Sequence, residues 1–218
     1  MTPWPDGADP GAAPLPPCRR TQDSARLEAV VGLARRCAYE AGHTHQVTRL
    51  ALALFDGLAP LHRLGEDERF WLQCGAMLHD IGVAGGASGH HKAALRLILG
   101  ADRLPLDPRE RLIIASVARY HRKTLPKETH DHFTALDLDD RRRVRALASI
   151  LRVADGLDRS HLCLVRDVTC DVGQGRVDLR CDVRGPAPDE QWAAHHKGDL
   201  FGEVFQRSLN VEMRTPDG

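Results

Sequence analysis

Five segments with helical periodicity each carry a histidine or an aspartate, in the order His45, His79-Asp80, His90/His91, His121 and Asp155. Imidazoles and carboxylates spread in this way have one common physical purpose, which is to hold divalent cations between packed helices. That demand restricts the chain to folds in which several helices converge on one point. Imidazole together with carboxylate suits Mn, Fe, Zn, Co or Ni, and suits Ca or Mg less well.

Three of these polar residues continue apolar stripes. His121 lies on the face set by Ile114, Val117 and Ala118, and Asp155 on that of Leu147, Ala148 and Leu151. His79 follows Leu72, Gly75 and Ala76. Residues three and four apart share a helix face, so these groups are aimed inward. A buried aspartate without a partner is costly, and a metal ion is one way to compensate it. A single such histidine is more often a hydrogen-bonded core residue, and Asp155 could cap a turn with Gly156; the ordered set points to a shared site.

The helical segments have legible boundaries. Asp23 or Ser24 can cap the first helix, with Leu27, Val30, Val31, Ala34 and Cys37 on its apolar face and Gly42 as its stop. A second helix spans about 45–61, with Val47, Leu50, Leu54 and Leu58 on one side, and a third runs from Glu66 to Leu78. Gly82, Gly85, Gly86 and Gly89 then break the chain before a short helix from His90 to Leu99. Asp107-Pro108-Arg109-Glu110 has capping-box order and starts a helix that reaches His121. The next begins near Asp139 and carries Val144, Leu147, Leu151 and Asp155. The period changes to two in RVDLRCDV (176–183), opposite Val168, Cys170 and Val172 across a Gly173-Gln174-Gly175 loop, which predicts a hairpin. A further helix follows Pro186 and Pro188 and includes Trp192, Phe201 and Phe205. The expected class is mainly α: a Pro/Gly/Ala-rich disordered tail over 1–22, a helical metal-binding domain over 23–162, and a small hairpin-plus-helix appendage over 163–218.

The net charge of zero over 218 residues disfavours a general nucleic-acid or membrane-surface binder. No apolar run is long enough to span a bilayer, and the N-terminus lacks the order of a signal peptide. The six cysteines form no CxxC pair and several fall at apolar-periodic positions, as expected for a reducing cytoplasm. Lysine occurs only at 92, 123, 127 and 197, so most basic residues are arginine, the better bidentate partner for phosphate.

The segments HTHQVTRLALALFD (43–56), LHDIG (78–82), HHKAALRLIL (90–99), ARYHRK (118–123) and LRVADGLDRSH (151–161) resemble the HD-domain superfamily of metal-dependent phosphohydrolases. They resemble most closely the C-terminal HD region of the exopolyphosphatase/guanosine-pentaphosphate phosphohydrolase (Ppx/GppA) family. DLFGEVFQRSL (199–209) is similar to that family's closing helix, and the likeness extends over about residues 25–210. The resemblance implies His45, His79, Asp80 and Asp155 as ligands of the principal metal, with Asp80 bridging where there are two. His90 and His121 stand at the places of the extra histidines of two-metal relatives, with His91 as the neighbouring alternative. Mg joins the metals that this family could use. His79 and Asp80 would be the catalytic pair.

The pattern also departs from its relatives. Arg122 stands where cyclic-dinucleotide phosphodiesterases of this superfamily carry another histidine, and their GYP segment is absent, which argues against that activity. Ala93 and Ala94 replace polar residues of the family's HHKHS-type segment. Ile81-Gly82-Val83 follows His79-Asp80 where alarmone hydrolases have an acidic pair. Larger members carry an actin-like phosphatase module before this region, and residues 1–22 are not expected to form one. The expected activity is hydrolysis of a nucleotide, a polyphosphate or another phosphate ester at a one- or two-metal centre. Arg122, Lys123 and Arg159 follow ligand positions closely enough to reach substrate phosphates. The alternative is a non-catalytic nucleotide-binding or assembly domain, working with a separate actin-like phosphatase. A homodimer through the amphipathic hairpin is a further expectation.

Overall fold

The computed structural model describes residues 14–83 and 89–215. After a short 3-10 turn (Thr21–Asp23), the helices are α1 (Ser24–Arg36), α2 (Ala41–Gly57), α3 (Ala59–His62), α4 (Glu66–Met77), α5 (His90–Leu99), α6 (Pro108–Arg119), α7 (Asp131–Thr134) and α8 (Leu138–Gly156). The strands β1 (Val165–Val172) and β2 (Arg176–Val183) follow, then α9 (Pro188–His196), α10 (Asp199–Phe205) and β3 (Ser208–Arg214). The fold is mainly α with a C-terminal β appendage, as the periodicity predicts. Residues 1–13 of the expected tail, with Gly85 and Gly86, lie outside the described residues.

α8 is the central element and packs against α2, α4, α6, α9 and α10. Its stripe of Val144, Leu147, Ala148 and Leu151 is fully buried. Each such leucine removed from water stabilises the fold by about 1.5–3 kcal/mol. Asp137 caps this helix, its Oδ1 accepting from the Asp140 N–H at 2.7 Å. Asp140 is itself buried and is compensated by a forked pair with Arg109, at 2.6 and 2.5 Å, and by Arg143 at 3.0 Å. α6 starts on the predicted capping box: Asp107 Oδ1 accepts from the Glu110 N–H at 2.9 Å.

Three boundaries differ from the sequence expectations. Gly42 does not stop a helix. α1 ends at Arg36, Ala38 takes a left-handed conformation (φ 52°), and α2 begins at Ala41. The expected final helix breaks in two around Gly198 and ends at Phe205, after which Gln206 turns left-handed. Residues 208–214, in part assigned to a closing helix, form β3 instead. Leu209 and Val211 alternate inward with exposed Ser208, Asn210 and Glu212, a two-residue period. β3 pairs in parallel with β2, giving the order β1-β2-β3. Residues 14–22 of the expected tail are anchored: the Gln73 amide donates to the Pro16 carbonyl at 2.7 Å, and Arg19 pairs with Asp56 and Glu66.

The hairpin register sets Val168 opposite Cys181 and Val172 opposite Val177. Its apolar residues Val165, Val168, Val177, Leu179, Cys181 and Val183 are buried within the same chain, and β1 packs on α2. Among the described residues no helix is long and apolar enough to cross a membrane.

His62 closes the turn after α3 as a neutral imidazole. Its Nε2–H donates to the Phe55 carbonyl at 2.7 Å, and its Nδ1 accepts from the Leu64 N–H at 2.9 Å. A second ring proton would face that N–H. Burial accordingly holds this group below its ordinary value of 6.5. A histidine depressed in the folded state binds more protons when unfolded, so its contribution is complete above pH 6.5 and is lost as pH falls. Urea midpoints measured from about pH 7 down to 5 should therefore fall. His62→Asn, which keeps an acceptor for Leu64, should lower the midpoint at neutral pH and flatten the acid slope; an unchanged slope would contradict the assignment.

Candidate metal centre

The local folding of five elements delivers six donors to one place. His43 lies in the first turn of α2. His79 and Asp80 follow the end of α4, and His90 is the first residue of α5. His121 comes two residues after α6, and Asp155 is in the last turn of α8. The Asp80 turn is held close to α5 by Gly82, where a Cβ would stand 2.2 Å from the His90 carbonyl oxygen. Gly156 allows a similar approach of α8 to α9, with a Cβ 2.6 Å from the Ala194 Cα.

The donors form two groups. In the first, His43 Nε2 lies 3.3 Å from His79 Nε2, and Asp155 Oδ1 lies 3.5 and 4.0 Å from those two nitrogens. In the second, Asp80 Oδ1 lies 3.1 Å from His90 Nε2 and 3.3 Å from His121 Nε2. Asp80 joins the groups, because its Oδ2 lies 3.7 Å from His79 Nε2 and 3.9 Å from His43 Nε2.

The imidazoles are oriented from behind. His79 Nδ1–H donates to the Ala76 carbonyl at 2.6 Å and His121 Nδ1–H to the Ala118 carbonyl at 2.7 Å. His43 Nδ1–H donates to Asp158 Oδ2 at 2.8 Å. In each case Nε2 faces the shared space, the arrangement metal-ligating histidines use once that nitrogen is unprotonated. Burial pushes the His79 imidazole down to about 4, so it is neutral and able to ligate. Burial also disfavours charge on His43, but Asp155 and Asp158 overcome it and push the group up to about 10. Asp155 is held well below the usual carboxylate range: burial opposes this, and Lys197, which ion-pairs with it, and His43 outweigh burial. Asp80 is depressed in the same sense, with His79 and His121 prevailing over burial.

The donor set fits a divalent cation. Metal–donor bonds of about 2.0–2.2 Å in a tetrahedral site place donors about 3.3–3.6 Å apart, close to the spacings here. Asp80 Oδ1 is buried, and among the described residues no well-aligned hydrogen bond satisfies it, although His90 Nε2 and His121 Nε2 lie 3.1 and 3.3 Å away. An acceptor left so costs about 1–3 kcal/mol, which a cation would offset.

Of the residues expected from sequence, His79, Asp80, His90, His121 and Asp155 come together. His45 does not. It is half-buried, its Nε2 lies 2.9 Å from the Tyr39 hydroxyl, and it lines a different cleft with Leu15 and Val31. His43 stands in its stead, and the reason is rotational. Val47 and Leu50, both fully buried, lie four and seven residues beyond His43 and share its face. His45 is two residues on, rotated by about 200°. The stripe Val47, Leu50, Leu54 extended backwards would have found His43, had Gly42 not been read as a stop. His91 belongs to neither group; its ring stands at 88° to that of His90. Asp158, fully buried in the turn after α8, has no periodicity signal.

A cleft of about 350 Å³ opens above the donors, with Asp80, His121 and Asp155 among its walls. Arg122, Lys123 and Arg159, the expected phosphate contacts, all line it. Arg122 Nη1 also lies 3.3 Å from His90 Nε2. Lys197, Arg152 and His161 add further polar groups. His161 stacks on His43 with ring centroids 3.7 Å apart, and its Nδ1 lies 2.8 Å from Glu40 Oε2.

Fold and site together define a mainly helical protein with a buried histidine–aspartate centre under a cationic cleft. Residues 25–174, more than half of the chain, match the family profile Ppx/GppA phosphatase, domain III. The chain belongs to that phosphatase-related family. No curated protein matches it.

The geometry separates His43 from His45 by experiment. With the purified protein loaded with Mn or Co and its metal measured by elemental analysis, His43→Ala should lose bound metal and His45→Ala should keep it. Asp158→Asn, which removes the carboxylate behind His43, should weaken metal binding about 10–100-fold. Equal metal content in the two histidine variants would refute the assignment.

Proposed function

We propose that the chain is a metal-dependent phosphohydrolase of the HD-domain type, acting on a nucleotide, a polyphosphate or another phosphate ester. The observation that carries this reading is the position of Asp80, whose two oxygens face different donor groups. His43, His79 and Asp155 would hold one divalent ion and His90 and His121 a second, with Asp80 between them. Metals in such a pair supply Lewis acidity, lowering the pKa of water and neutralising charge on a phosphoryl oxygen.

The chain's own groups supply binding and orientation. Arg122 and Arg159 can each present a planar fork to phosphate oxygens, and Lys123 a point charge. Asp80 orients water toward phosphorus from the floor of the cleft. The Asp158–His43 hydrogen bond keeps the imidazole in the tautomer this arrangement needs.

A second reading has its own support. Lys197 neutralises Asp155, so one wall of the centre is charge-balanced by protein groups. Trp192, 64% exposed, lines the cleft and stacks on His196, a flat aromatic surface suited to a nucleobase. These features fit a nucleotide-binding or assembly domain.

The test is a phosphate-release screen over nucleotides, polyphosphate and simple phosphate esters with Mn, Co, Ni, Mg or Zn added. Hydrolysis should require metal and should drop below about 1% of the parent rate in His79→Ala and Asp80→Ala. Metal bound without release from any substrate would favour the binding-domain reading.

A further inference from the structure

Arg119, the last residue of α6, is 4% exposed. Its guanidinium makes no hydrogen bond or ion pair among the described residues, and its Nη1 is buried without a partner. The C-terminal end of a helix favours a cation, but no carbonyl there accepts from this side chain. A buried histidine or lysine can lose its proton; arginine cannot. The Tyr120 ring, 5.6 Å from the guanidinium carbon, offsets this charge in part, and full compensation of a guanidinium taken out of water needs an anion.

The surrounding groups supply donors rather than a counter-ion. His91 Nδ1 on α5, in a residue 4% exposed, has no hydrogen-bond partner among the described residues, and neither has His132 Nε2 on α7. Ser116 Oγ, one turn before Arg119 on α6, is also buried and unpartnered. His91 shares its α5 face with Ala94 and Ile98, both fully buried, and α5 packs on α6. Arg119 and His132 border the same aromatic side chain, the Arg119 guanidinium carbon 5.6 Å and the His132 ring 5.5 Å from the Tyr120 ring centroid. A neutral imidazole can hold its proton on the inward nitrogen and donate it. The acids of the neighbouring loop face elsewhere: Glu128 pairs with Arg141 at 2.9 Å, and Asp131 is exposed.

We propose that Arg119, with His91, Ser116 and His132, forms an oxyanion site between α5, α6 and α7 that takes a phosphate group, separate from the cationic cleft. The anion is either free inorganic phosphate or the terminal phosphoryl group of a longer chain. The site does not depend on hydrolytic activity, since its donors belong to neither metal-type group.

The test uses the full chain treated with a chelator, titrated with inorganic phosphate and separately with tripolyphosphate up to about 10 mM, where a site of millimolar affinity is nearly full. Calorimetry and thermal unfolding should show a saturable anion site beyond any phosphate taken up by the cationic cleft, and a raised Tm. Arg119→Gln should weaken binding at this site at least about 10-fold, a loss of about 1.4 kcal/mol, whereas the cleft variant Arg159→Gln should weaken only uptake by the cleft and leave this site within about twofold. Without phosphate, Arg119→Gln should be at least as stable as the parent, because it removes an uncompensated charge. Should Arg119→Gln not fold, His132→Phe and His91→Phe provide the same comparison. Binding of both anions assigns free phosphate, and binding of tripolyphosphate alone assigns the end of a chain. No binding of either anion, or affinity lost in Arg159→Gln and kept in Arg119→Gln, would overturn the site.

Discussion

Everything at the centre of this protein depends on where Asp80 is held. Its carboxylate lies between two pairs of imidazoles, with one oxygen toward His43 and His79 and the other toward His90 and His121. A carboxylate so placed links α2, α4, α5 and α6 electrostatically. It also creates a demand, because Oδ1 is buried and, among the described residues, has no well-aligned hydrogen bond. The close approach at Gly82 is the backbone condition for this geometry, since a side chain there would collide with the His90 carbonyl.

The charge balance around Asp80 is uneven. On one side, His43 is favoured as an imidazolium between Asp155 and Asp158, and Lys197 pairs with Asp155. Protons and a lysine there occupy the electrostatic role that a divalent cation would take. Metal affinity in such a centre is linked to proton release, because imidazole ligates only when neutral. On the other side, His90, His121 and Asp80 have no lysine ion pair among the described residues. The two groups are therefore chemically distinct although they share a ligand.

Arg119 represents a different treatment of buried charge. Asp140 in the same bundle is compensated in full, by a fork from Arg109 and a third bond from Arg143. Arg119 and Asp140 are comparably buried, at 4% and 1% exposed, yet of the two only Asp140 has counter-ions among the described residues. A bundle that satisfies one buried ion so thoroughly gives weight to the other's lack of a counter-ion among the described residues, with only the Tyr120 ring at 5.6 Å beside it.

Much of this protein was legible in its sequence. The apolar stripes placed α4, α5, α6 and α8 nearly at their observed bounds, and the alternation in 176–183 placed the hairpin. The inward aim of His121 and Asp155 followed from those stripes, because side-chain direction on a helix is set by the helix itself. The position of His43 rather than His45 beside His79 and Asp155, the place of His91 outside both donor groups, the hydrogen bond of His43 to Asp158 and the parallel strand β3 are visible only in the tertiary structure. Each depends on where one element begins, ends or meets another. A one-residue periodic pattern cannot fix a helix start that is decided by the left-handed Ala38 and the packing of α2 on α8. Sequence determined which residue types face inward; the packing of separate helices decided which of them meet.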